Sequence, residues 1–177
     1  ATQAPSDAQR ADFVIANSAY TKRCLLRLGV PDERVVVIHP KVDIERFDVA
    51  MDTAAFKRRE GLEGKRILLT IGRLMERKGQ HLVLHALRRL APEFTDVVYV
   101  VVGVGPDDEK LKRLAETLGV SDRVLFPGNR DTVAFYHACD VFVMPSLDQE
   151  SATGQIESFG IVFLEANACR KPVVGGN

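Results

Sequence analysis

The stretch "ILLTIGRLMERKGQHLVLHALRRLAPEFTDVVYVVVG", residues 67–103, decides the fold of this 177-residue chain. It opens on a nearly continuous apolar run, "ILLTIG" (67–72), and closes on another, "VVYVVVG" (97–103). A strand with one wet face alternates apolar and polar side chains. A run without that alternation suits a parallel strand covered on both faces. Between the runs the period changes. Leu82, Val83, Ala86, Leu87 and Leu90 fall on one side of a helix predicted over 79–91. Strand, helix, strand in this pattern is the unit from which parallel sheets are built.

The rhythm continues in both directions. Towards the C-terminus the spacing predicts a helix over 107–119, with acids in its first turn and Gly119 at its end. A strand over 123–128, a helix over 131–139 and a strand over 140–146 follow. A helix over 161–169 and a strand at 172–176 close the series. Towards the N-terminus, strands at 12–17 and 34–39 flank a helix over 18–29. Ser18 caps it, Cys24, Leu25 and Leu28 share one side, and Gly29 stops it. A short helix is expected near 54–61, and the polar first ten residues read as a loosely ordered lead-in. The fold class is therefore α/β, a doubly wound, Rossmann-like parallel sheet with helices on both faces. The chain stops just after a strand, which reads as a domain cut from a longer protein.

Composition removes several functions. Hydrophobic residues make up 46 % and charged residues 27 %, as in ordinary globular chains, and the net charge is +0. Nothing in that balance points to nucleic acid. No apolar run reaches membrane-spanning length and no signal peptide opens the chain. Cys24, Cys139 and Cys169 are far apart and form no C-x-x-C pair, so they read as small buried hydrophobes in a reducing cytoplasm. His81 and His85 have metal-compatible spacing, but no acid or cysteine joins them, so no metal site is expected.

Ligands of such sheets bind beyond the carboxyl ends of the strands. The loops there are 72–79, 103–109, 127–131 and 145–160. In the first, Arg73, Arg77 and Lys78 precede a helix start, an arrangement that suits phosphate or, more plainly, three solvated charges. The second carries a G-x-G at 103–105 without the third glycine of a dinucleotide site. Asp107 and Asp108 there read as helix-capping residues. The last leads to "IESFGIVFLEANA" (156–168). Phe159-Gly160 breaks the helix, leaving Glu157 on the loop and Glu165 one turn inside. Position 160 offers no capping side chain, so the amides of Gly160, Ile161 and Val162 are free donors unless Ser158 caps them. Glu165 can accept from a ribose diol and Glu157 from a sugar. The plainer alternative is two solvated glutamates.

In order, "GRLMERKG", "VVGVGPDDEKL", "VLFPGN", "FYHACDVFVMPS" and "ESFGIVFLEANACRKPVVGGN" resemble the C-terminal donor-binding domain of retaining GT-B glycosyltransferases of family 4, the glycosyl transferases group 1. The earlier "ADFVIANSAYTKRCLLRLGV" resembles the last strand and helix of that family's N-terminal, acceptor-binding domain. The resemblance implies two parts: 1–33, a lead-in and remnant of the acceptor domain, and 34–177, a donor domain truncated at its C-terminal end. It implies a donor of GDP-mannose or UDP-hexose type, retention at the anomeric carbon, and an acceptor that is an unknown sugar or lipid-linked molecule. Arg73 and Lys78 match the cations on the donor diphosphate, and Glu157 the carboxylate facing the donor sugar. Glu165 matches the residue on the ribose, the Gly160–Val162 backbone the turn on sugar and phosphate, and Asn129–Arg130 the segment near the base. No metal or other cofactor is implied, since Arg73 and Lys78 serve the leaving diphosphate and no D-x-D occurs. The implied partners are the donor and the missing N-terminal domain. The implied location is cytoplasmic, with room for a peripheral position at the inner membrane face through the full-length protein. A non-catalytic nucleotide-binding module and a GT-B sugar-nucleotide epimerase share the same fold. The chain departs from the family's pattern at Lys41 and Arg170, where glycine is usual, and in the length of loop 147–156.

Overall fold

The computed structural model describes residues 7–147 and 159–176. Contacts divide the chain into two units. The first lies within Ala1–Lys41, with 159–161 grouped to it, and the second begins at Val42. The division falls later than the 33/34 boundary expected above, because the strand Val35–Val37 pairs backwards, onto Val14–Ala16.

In the first unit, β1 (Val14–Ala16) and β2 (Val35–Val37) are parallel and joined through α2 (Ala19–Arg27). Ser18 caps α2 by accepting from the Thr21 amide. Its core is small: Ala16, Val30 and Val35, with Leu25 and Leu26 against them. Leu28, expected on the buried side, is exposed. One turn of helix, α1 (Asp7–Arg10), occupies part of the lead-in expected to be loosely ordered.

The second unit is a five-stranded, fully parallel sheet in the order β5-β4-β3-β6-β7. The strands are β3 (Arg66–Ile71), β4 (Val97–Val102), β5 (Val124–Gly128), β6 (Val141–Met144) and β7 (Val173–Gly175). The chain starts at β3, steps outward through β4 and β5, then returns to lay β6 on the other side of β3. The place where direction reverses, beside β3, is where such sheets hold ligands. Alternate residues of the central strands face opposite ways, and both ways are dry. Leu69, Ile71, Val100 and Phe142 enter one core with α7 (Val133–Ala138) and α8 (Ile161–Ala168). Tyr99 and Val101 enter the other with α5 (Gln80–Leu90) and α6 (Asp108–Thr117). This is the physical reason for the continuous apolar runs.

Three elements differ from expectation. A short helix α3 (Ile44–Phe47) precedes α4 (Thr53–Arg59) and buries Phe47. The buried stripe of α5 is Gln80, Val83, Leu84 and Leu87, whereas Leu82 and Ala86 are exposed. Positions 80, 83, 84 and 87 make one continuous helical face, and a polar residue holds its first place. Asp107 stands at the N-cap of α6 but makes no side-chain capping bond, while Asp108 pairs with Lys112 at 3.2 Å. Burial pushes the Cys139 thiol up to about 12 and raises that of Cys169 as well, so both are inert fillers.

Candidate functional site

At the carboxyl ends of β3, β4 and β5 lies a cleft of about 440 Å3, lined by Ile71–Arg73, Val102–Gly105, Asn129 and Thr132. Its floor is main chain. The pairing of β3 with β4 runs on past both strands, through Gly72 N–H to the Val102 carbonyl at 3.0 Å and Leu74 N–H to Val104 at 3.1 Å. Gly103 N–H reaches the Gly128 carbonyl at 2.9 Å. Gly103 has φ 141°, and a Cβ there would lie 2.0 Å from the Gly72 carbonyl oxygen. Only glycine fits so close an approach of two backbones.

Arg73 stands on this floor with an exposed side chain, and no carboxylate pairs with it among the described residues. Its own backbone is held from below. Gln80, 1 % exposed, donates its amide to the Arg73 carbonyl at 3.0 Å. The turn between them is Glu76–Lys78, closed by Gly79 in the left-handed region (φ 73°). Gly79 is pressed against the loop after β6, where a Cβ would meet the Pro145 carbonyl oxygen at 2.1 Å. Leu147 N–H adds a bond to the Arg77 carbonyl at 2.7 Å. No side chain caps α5, and the amides of Leu82 and Val83 bond back to the Gly79 carbonyl, at 2.9 and 3.4 Å.

The structure unites some of the expected residues and separates others. Arg73 and Asn129 share the cleft lining. Lys78 ends the Glu76–Lys78 turn, half-buried, outside that lining. Arg130 does not line the cleft. It pairs with Glu60 at 3.1 Å and lies over the Phe135 ring. Gly160 takes φ 77° and Ile161 opens α8. The Val162 side chain packs on the core, which leaves only its backbone to offer a ligand. Glu165, half-buried on α8, accepts a hydrogen bond from the Tyr136 hydroxyl at 2.6 Å. Burial, and then this bond, push the Tyr136 phenol well above the ordinary tyrosine range, so it remains a donor. Glu157 and Ser158 lie outside the described residues. Among the described residues no three metal-ligating side chains cluster, and no helix is long and apolar enough to cross a membrane.

Three participants escaped the sequence reading: Thr132, Gln80 and Tyr136. Gln80 had a signal, a lone polar residue three positions before Val83 on an apolar stripe. Tyr136 had none, since a tyrosine among apolar residues reads as core.

Comparison with known proteins gives the geometry a context. The pattern described as "Glycosyl transferases group 1" matches residues 52–177, and that of "Glycosyltransferase Family 4" matches 3–46. A GDP-mannose-dependent alpha-(1-6)-phosphatidylinositol monomannoside mannosyltransferase of Mycolicibacterium smegmatis is 35 % identical, over 94 % of this chain and 44 % of its own. A D-inositol 3-phosphate glycosyltransferase of Streptomyces bingchenggensis is 38 % identical, over 93 % of this chain and 37 % of its own. The crystal structure of Anabaena Alr3699/HepE in complex with UDP and glucose superposes with a TM-score of 0.84 at 30 % identity. It covers 95 % of this chain and 45 % of that one. The chain thus spans less than half the length of each of these three proteins.

Proposed function

The chain belongs to the glycosyl transferases group 1 family, and from that premise we propose that it is the donor-binding part of a glycosyltransferase. It holds a nucleotide diphospho-sugar, of the GDP-mannose or UDP-hexose kind, for metal-independent transfer with retention at the anomeric carbon. The observation that carries this reading is the cleft beyond β3, β4 and β5, walled by glycine backbone and carrying Arg73 with no carboxylate beside it among the described residues. An exposed cation at a glycine-lined cleft beyond the strand ends suits a diphosphate better than any neutral ligand. The relatives add support: one is named for GDP-mannose and one structure was solved with UDP and glucose.

In this reading Arg73 and Lys78 stabilise the charge that builds on the leaving diphosphate, and preorganised cations act most strongly there. Asn129 stands near the base and Glu165 serves the ribose. The Gly160–Val162 backbone serves the sugar and phosphate, and Glu157 faces the sugar. The acceptor, a sugar or a lipid-linked molecule, is supplied to the anomeric carbon by the part of the full-length protein that these relatives have and this chain lacks.

Titration calorimetry against UDP, GDP, UDP-glucose and GDP-mannose, with and without EDTA, tests this. Binding of at least one is expected in both conditions. Arg73→Ala should weaken the diphosphate about ten- to a hundred-fold, the equivalent of one charge-assisted hydrogen bond of about 1.5–3 kcal/mol. Lys78→Ala should act similarly, and the plain nucleoside should bind all three proteins alike. Binding that needs added magnesium, or an equal loss of the nucleoside in the mutants, rejects this account.

A further inference from the structure

We infer that Tyr136 is a positioning residue for Glu165: its buried hydroxyl fixes one carboxylate oxygen and leaves the other presented to the ribose diol of the donor. The inference rests on the donor-site reading above, and its ground is geometric. The Tyr136 ring is fully buried. Phe47 meets it edge-on, with centroids 5.7 Å apart, and Phe142 meets it tilted, also at 5.7 Å. A ring gripped from two sides has one place for its oxygen, and that oxygen lies 2.6 Å from Glu165 Oε2. The phenol hydroxyl donates and the carboxylate oxygen accepts.

The bond crosses between two helices, α7 and α8, on the same face of the sheet. It therefore does more than satisfy a phenol, which any nearby carbonyl would do. A free glutamate samples many rotamers, and ordering it on binding costs entropy. With Oε2 clamped in advance, that ordering is already made, and a ligand meets a carboxylate held in one orientation. In this assignment the lone pairs of the other oxygen, Oε1, serve the two adjacent hydroxyls.

A matched pair of probes tests the assignment: UDP or GDP, whichever binds the tighter, and its 2′,3′-dideoxy analogue. Tyr136→Phe keeps the ring and removes the hydroxyl. It should weaken the ribose nucleotide about ten-fold, as for loss of a modest hydrogen-bonding advantage, and leave the dideoxy analogue unchanged. In the Tyr136→Phe/Glu165→Gln double mutant the loss should be no greater than in Glu165→Gln alone, because both changes act on one interaction. Should Tyr136→Phe fail to fold, 3-fluorotyrosine at 136 keeps ring and hydroxyl but alters its donation, and must change affinity for the ribose form only. Equal losses on both probes, additive losses in the double mutant, or an unchanged ribose-nucleotide affinity overturn the role of Tyr136 while leaving the donor site standing. A wild type that binds neither UDP nor GDP overturns the donor site itself, and this inference with it.

Discussion

Gln80 has an unusual position for an amide: fully buried, in the first turn of α5, on the stripe that otherwise carries Val83, Leu84 and Leu87. A polar side chain is tolerated in such a place only when bonded, and its partner is the carbonyl of Arg73. The residue thus ties the helix to the loop that carries the cleft's cation. Gln80→Leu, close in volume, should cost about 1 kcal/mol of stability in thermal denaturation. It should also weaken diphosphate binding, measured by calorimetry, because the Arg73 backbone loses its anchor. A stability loss with affinity untouched would show that the loop is held without it. Arg130 teaches the opposite lesson. The family resemblance sets it near the base, and its observed partner, Glu60, is 70 residues away. A pairing at that separation leaves no local trace in the sequence.

At the scale of the element, α8 ends in a way the sequence foretells in part. Arg170 stands where the family's pattern favours glycine, and the backbone there is left-handed, with φ 56°. Arg170 N–H bonds to Asn167 at 2.8 Å and Lys171 N–H to Ala166 at 2.9 Å, which closes the helix. For a residue with a Cβ that conformation costs about 1–2 kcal/mol. Arg170 also pairs with Asp48 at 2.8 Å, but both side chains are well exposed, and such pairs contribute little. Glycine would relieve the strain, lose that pair and add flexibility to the unfolded chain at about 0.5–1 kcal/mol. Arg170→Gly should therefore stabilise slightly, by up to about 1 kcal/mol, seen as a small rise in Tm; a clear fall would mean that the Asp48 pair matters more than its exposure suggests. The strands were legible because a buried parallel strand has no polar alternation to confuse it. The helix α3 was not, since four residues, Ile44–Phe47, are too few to display a period.

The two units of the molecule differ in how much apolar surface each encloses. Among the described residues, the first has two short strands over three buried apolar residues. The second closes two separate cores on the faces of five strands. A two-stranded sheet alone is marginal in water, and local opening follows local burial. Hydrogen exchange followed by mass spectrometry should find Val14–Ala16 and Val35–Val37 exchanging orders of magnitude faster than β3 and β4; equal protection would mean that the chain unfolds as one. The loops beyond the strand ends could be located from the sequence, because that follows from winding alone. Which of their residues meet in the cleft was legible only through the family resemblance, at Arg73 and Asn129, and Thr132 was missed, since the meeting depends on close backbone approaches that leave no periodic mark. Those approaches restrict variation in a definite way. Where Gly103 lies on Gly72, Gly105 on Leu74 and Gly79 on Pro145, any added side chain must displace a strand end or a loop. Mutational search for new ligands is thereby directed to side chains that stand on this frame, such as those at 73, 104, 129 and 132. A library varied at those positions samples the chemistry open to the cleft, whereas one spread over Gly79, Gly103 and Gly105 yields mostly misfolded protein.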